Sequence, residues 1–100
     1  MNEKEKQGKE QSLEEIMNKL LKAYQLEGRM KEMDVISSWE ELMGTAIANR
    51  TSRISIKNKV LYLEISSSVM RDELVYGKQV IIDRINQFAG EEMISDVYFS

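Results

Sequence analysis

The chain has no cysteine, no histidine and no proline among its 100 residues. Without cysteine there are no disulfides. Without cysteine and histidine there is no Cys- or His-ligated zinc, no Cys or Ser–His nucleophile system and no imidazole acid–base chemistry. Without proline, no rigid linker divides the chain. No apolar run approaches the roughly 20 residues needed to span a bilayer. The N-terminus lacks the apolar core of a secretory signal. These absences lead us to expect a soluble, cytoplasmic protein with no membrane partner. Neither GxxxxGK[ST] nor GxGxxG occurs, so a nucleotide-hydrolysing P-loop has no support. Acid clusters with EF-hand spacing are also missing.

What is present is ordinary globular composition, with 42% hydrophobic and 31% charged residues, which argues against wholesale disorder. Chains hold about one domain per 100–200 residues, so a second independent core is not expected. The net charge is −3, which does not favour non-specific nucleic-acid binding. Its distribution says more. Residues 1–49 carry seven Lys/Arg against ten Asp/Glu, whereas residues 50–88 carry seven Lys/Arg against four Asp/Glu. The middle of the chain is therefore locally basic, with room for a modest anion-facing patch on an otherwise solvated surface.

Residues 1–11 hold charges, amides and one glycine, with no large apolar side chain beyond the initial Met, and read as a disordered lead-in. A single domain is expected over residues 12–100. Ser12-Leu13-Glu14-Glu15 fits a capping box. Leu13, Ile16, Met17, Leu20, Leu21 and Tyr24 follow with helical spacing, and Gly28 is expected to end that helix. A second helix is expected from about Met30, burying Met30, Met33, Ile36, Trp39, Met43, Ala46 and Ile47. Within it, Gly44 stands as a break or a close backbone approach. Methionines and a tryptophan at this spacing read as core.

The period then changes from 3.6 to 2. Arg53 to Lys57 alternates, Leu61 to Ile65 alternates, and Asn58-Lys59 between them suits a two-residue turn. That turn fixes the register. Ile56 meets Leu61 and Ile54 meets Leu63 on the buried side; Lys57 meets Val60, Ser55 meets Tyr62 and Arg53 meets Glu64 on the other. Ser66-Ser67-Ser68 supplies caps for a last helix, with Asp72 and Glu73 in its first turn. Met70, Leu74, Ile81, Ile85 and Phe88 form its stripe, Gly77 marks a bend or a close approach, and Gly90 is the stop. Residues 94–99 read as a third strand with Val97 and Phe99 inward. The fold class is therefore α+β in the order α-α-β-β-α-β, a three-stranded sheet with helices packed on one face.

No constellation supports catalysis. The acidic pairs Glu14/Glu15, Glu40/Glu41 and Glu91/Glu92 are helix neighbours that diverge rather than converge. The three serines have no base to activate them. No cofactor is expected. The one suggestive surface is the sheet face away from the helices, where Arg53, Lys57, Tyr62 and Tyr98 interleave cations with aromatics. Such a face can hold single-stranded nucleic acid by charge and base stacking. Arg50, Arg53, Lys57, Lys59 and Tyr62 are the candidate DNA-facing residues.

The order of small motifs also resembles a bacterial family. Trp39-Glu40-Glu41-Leu42-Met43-Gly44, Ala46-Ile47-Ala48 and Thr51 follow a W-x-x-x-hydrophobic-G…I-A…T segment. Residues 60–68 follow a strand ending in serines. Glu73-Leu74, Ile85-Asn86 and the closing strand from Ile94 to Phe99 complete the set. The chain resembles the DciA-like family over about residues 13–99. The resemblance implies a KH-like fold. It also implies association with a DnaB-type replicative helicase, help in placing it on DNA, and no ATPase of the protein's own. Two departures bear on direct DNA binding rather than on the fold. The chain lacks the longer basic extension of the better-studied members, and it has no GxxG loop. The alternative reading is a protein-interaction or homodimerisation domain with no nucleic-acid role.

Overall fold

A computed structural model describes the backbone from Glu3 to Ser100 and side chains from Ser12 onward. The expected lead-in over residues 1–11 thus lies outside the described side chains. The chain divides into two units, Met1–Met30 and Lys31–Ser100.

The described residues of the first unit lie in α1, Glu3–Ser37. Two helices divided at Gly28 were the expectation, and one continuous helix is observed. Ser12 is inside α1 rather than at its start. Gly28 keeps a helical backbone, with no positive φ. One glycine costs about 1 kcal/mol relative to alanine. Its neighbours Leu26, Glu27, Arg29, Met30 and Lys31 are good helix formers, so that cost does not break the helix. The burial expected for Leu13, Ile16, Met17, Leu20, Leu21 and Tyr24 is not found: all six are exposed.

The second unit holds the core. After α1 come α2 (Trp39–Met43) and α3 (Thr45–Arg50). The single helix expected over this stretch is interrupted at Gly44, which sits at φ 87, ψ 162, a region open essentially to glycine alone. Val35, Trp39 and Met43 are the buried set, whereas Met30, Met33 and Ile36 are exposed. The end of α1 and α2 thus bury positions spaced by four residues across their junction at Ser38. Val35 rather than Ile36 lies in line with Trp39.

The strands β1 (Thr51–Lys57) and β2 (Val60–Ile65) pair antiparallel in the expected register, from Lys57 opposite Val60 to Arg53 opposite Glu64. Both turn residues take positive φ, Asn58 at 51° and Lys59 at 63°, as a type I′ turn requires. A bulge at the start of β1 leaves Ser52 outside the pairing. Its hydroxyl donates to the Glu64 carbonyl and carboxylate instead.

Ser67 caps α4 (Ser68–Tyr76) by accepting from the Met70 amide. Asp72 and Glu73 fall beyond the first turn. Gly77 separates α4 from α5 (Lys78–Ala89), and Gly90 ends α5 in the left-handed conformation. The strand β3 (Asp96–Phe99) pairs parallel to β2, giving the sheet order β1-β2-β3.

Leu61, Leu63 and Ile65 of the central strand pack with Ile81, Ile82 and Ile85 of α5, Val97 of β3, and Val35, Trp39 and Met43. Phe88, expected on this stripe, is exposed, and Ala89 packs against the core instead. This is the expected α+β arrangement. Helices cover one face of the sheet and leave the other face to solvent.

Candidate nucleic-acid interface

The open face of the sheet is built by alternation. Every second residue of each strand points away from the core, and the register sets these residues in rows. One row is Ser55–Tyr62–Tyr98, one is Lys57–Val60–Asp96, and one is Arg53–Glu64. The middle row brings Tyr62 and Tyr98 together, with ring centroids 5.9 Å apart and a 55° tilt. Both rings are exposed. They support each other and still present aromatic surface to solvent.

Of the five candidate residues, three share this face: Arg53, Lys57 and Tyr62. Lys59 stands in the turn at one end of the β1–β2 hairpin, and Arg50 ends α3 just before the other end. The backbone at both outliers is held. The Lys59 carbonyl accepts from the Ser95 amide at 2.8 Å, and the Arg50 carbonyl accepts from the Ser66 amide at 2.8 Å. The side chains remain exposed on fixed backbone.

The charges are not equally available. Arg53 Nε lies 4.0 Å from Glu64 Oε2. Glu64 Oε1 also accepts from Ser52 at 2.8 Å. At this exposure an ion pair contributes at most about 1 kcal/mol, so Arg53 can exchange Glu64 for another anion. Lys57, Lys59 and Arg50 have no ion-pair partner among the described residues.

At the β3 edge the sign reverses. Asp96 accepts from Lys78 at 3.1 Å and from the Val97 amide at 2.8 Å. These two donors, Lys78 foremost, hold its carboxyl below the usual carboxylate range. The face therefore grades from basic on β1, through aromatic, to a neutralised acid on β3. Lys78 is one of the seven cations counted over residues 50–88, but its link to Asp96 spans a helix and a loop and is not legible in the sequence.

Asn86, part of the Ile85-Asn86 motif, has an architectural role. Its Oδ1 accepts from the Met93 and Ile94 amides at 2.9 and 3.0 Å, and its Nδ2 donates to the Ile94 carbonyl at 2.9 Å. It thereby fixes the entry to β3. Arg71 does the same at the far end of the sheet, donating to the Ile65 carbonyl at 2.7 Å and the Ser100 carbonyl at 3.1 Å.

Among the described residues, no polar or charged side chain is buried and no group of acids could hold a metal ion. No helix there is long and apolar enough to cross a membrane. A family model described as "Dna[CI] antecedent, DciA" matches residues 12–99. The chain belongs to the DciA family. No curated protein and no solved structure matches it.

The family is linked to replicative helicases. In this DciA-family protein the motif residues form the scaffold. Trp39 is buried and donates its indole N–H to Thr51 Oγ1 at 3.0 Å. Thr51 in turn donates to the Ile47 carbonyl at 2.7 Å. Gly44 makes the break between α2 and α3, Ser67 caps α4, and Asn86 clamps the last loop. None of these groups stands in the open-face rows.

Proposed function

We propose that this protein is a non-catalytic binding module of DNA replication, acting in the cytoplasm. It associates with a DnaB-type replicative helicase and assists its loading on DNA. Membership of the DciA family over residues 12–99 is the observation that carries this reading. The mechanism is differential binding. A module that binds one arrangement of the helicase more tightly than another shifts the population toward it, and needs no bond-breaking site of its own. The absence of a P-loop from the sequence is in keeping with this role.

In this reading Arg50, Arg53, Lys57, Lys59 and Tyr62 touch single-stranded DNA weakly while the helicase is engaged. The cations lie along one hairpin and at the end of the helix that leads into it, and follow a phosphate backbone. Tyr62, backed by Tyr98, offers a stacking surface for a base. The test has two arms. Capture of purified replicative helicase by the intact protein is expected, and failure of that capture overturns the helicase role. Titration with single-stranded oligonucleotide across a salt series tests the DNA edge. The double substitution R53E/K57E is expected to weaken binding and to flatten the log–log salt slope by about 1.4, the share of two phosphate contacts on a single strand. An unchanged slope overturns the site assignment and leaves the helicase arm standing.

A further inference from the structure

The two edges of the sheet are finished differently. The Ser100 amide donates to the Leu63 carbonyl, and the Ser100 carbonyl accepts from the Ile65 amide, both at 2.9 Å. The odd-numbered residues of β2 thus turn their backbone groups toward β3. Its even-numbered residues, Val60, Tyr62 and Glu64, therefore bond to Lys57, Ser55 and Arg53 opposite them. That leaves Ile54 and Ile56 of β1 directing their N–H and C=O groups out of the sheet, where nothing among the described residues bonds to them. On β3 the outward positions are Val97 and Phe99. The Val97 amide is already taken by the Asp96 carboxylate at 2.8 Å, itself held by Lys78. The β3 edge is thus short and its Val97 amide is occupied, whereas the β1 edge offers free peptide groups in register.

We propose that the β1 edge takes up an extended segment of a partner protein as a fourth strand, one in which acidic side chains alternate with aliphatic ones. Backbone pairing with Ile54 and Ile56 attaches the segment. Alternation then divides its side chains between two environments. On the open face they stand beside Arg53, Ser55 and Lys57, all exposed, and β1 carries no acid. Lys57 has no ion-pair partner among the described residues, and the 4.0 Å contact of Arg53 with Glu64 is exposed and exchangeable. Carboxylates in that row meet cations directly across the strands, which is favourable. On the other face the aliphatic side chains lie beside Ile54 and Ile56, which are half-buried against the core. They complete the cover of those two residues. The same charges exclude a second copy. An antiparallel β1–β1 pair centred on Ser55 sets Arg53 opposite Lys57 of the second copy, twice, and like charges directly opposite are destabilising. A basic edge strand resists pairing with itself, and here it leaves room for a strand of the opposite charge. The strand addition does not rest on the helicase role.

Amide hydrogen exchange of the intact chain, read residue by residue by NMR, tests the proposal. The probe is the end-capped heptapeptide Glu-Val-Glu-Val-Glu-Val-Glu. At saturation it is expected to slow exchange of the Ile54 and Ile56 amides at least tenfold. The same peptide with lysine in place of glutamate is expected to bind at least tenfold more weakly. The double substitution R53E/K57E is expected to reverse that preference. The measurements on the native chain decide the matter if that variant fails to fold. N-methylation of all the valines, or of all the glutamates, removes the donors along one edge of the peptide. One of these two forms is expected to lose binding: the valine form if the added strand runs antiparallel to β1, the glutamate form if it runs parallel. Absence of binding by the Glu-Val peptide overturns the proposal, as does binding that leaves both amides exchanging at their free rate. Equal binding of the lysine peptide, or full binding by both N-methylated forms, overturns it too. None of these results bears on capture of the helicase, so the two readings fail separately.

Discussion

Leu63 and Leu20 are the same residue type at regular apolar positions, yet Leu63 is 1% exposed and Leu20 is 52% exposed. Leu63 lies on the central strand, between a strand on either side and beneath α5. Leu20 lies on a helix face with no second layer supplied by its own unit. Periodicity tells which residues share a face. Whether the chain also supplies a cover for that face depends on the whole topology.

The comparison can be broken most directly at these two leucines. L63A should cost about 2–5 kcal/mol, the range for removing a buried leucine and leaving a cavity. In dilute protein, L20A should stay within about 0.5 kcal/mol of the native chain, as exposed substitutions do. Urea unfolding of both variants measures this. Equal losses would show that the two regions are not different in kind.

The same contrast explains how much of the fold was legible. The hairpin was read to the residue. One slip of register would have turned Ile54, Ile56, Leu61 and Leu63 outward together, and Asn58-Lys59 fixed the turn. Gly90 and Ser67 were legible because each satisfies a local need, a left-handed stop and a free helix amide. The continuity of α1 was not legible. A glycine within a helical pattern either ends the helix or is tolerated, and only the long run of helix formers around Gly28 decides it. Val35 was missed in favour of Ile36 because both are aliphatic neighbours, and the choice depends on where Trp39 docks. Of the candidate site, alternation placed Arg53, Lys57 and Tyr62 on one face. Lys78 joins Asp96 through topology alone. The family motif could not point to that face, since Trp39, Gly44, Thr51, Ser67 and Asn86 serve the scaffold.

A smaller and sharper test uses two glycines, both with nothing within 4 Å of an added Cβ. Sterics with neighbours therefore predict the same outcome at both. Backbone conformation predicts opposite signs. Gly44 lies at φ 87, ψ 162, where other residues pay about 1–3 kcal/mol, so G44A should destabilise the sheet unit. Gly28 lies in mid-helix, where alanine gains up to about 1 kcal/mol, so G28A should raise helix content and melting temperature. Circular dichroism during thermal unfolding checks both. A loss of helix in G28A would show that the glycine is needed for a bend or a close approach in α1.

The smallest expected effect lies at the edge of the open face. Lys78 and the Val97 amide hold the Asp96 carboxyl below its usual range in the folded protein. A group whose pKa is depressed by folding adds stability above its unfolded value, and that stability is lost as pH falls through the folded value. The contribution should be complete above about pH 5 and should fade below it. It is small, because the pair is exposed to solvent and screened by salt. Other carboxylates titrate in the same window, so the informative quantity is the difference between native and D96N unfolding midpoints at each pH. That difference should be positive and level near neutrality, then shrink on acidification. High salt should reduce the level part. A difference that grew toward low pH would mean that Asp96 is held in its protonated form, which would contradict the donor geometry around it.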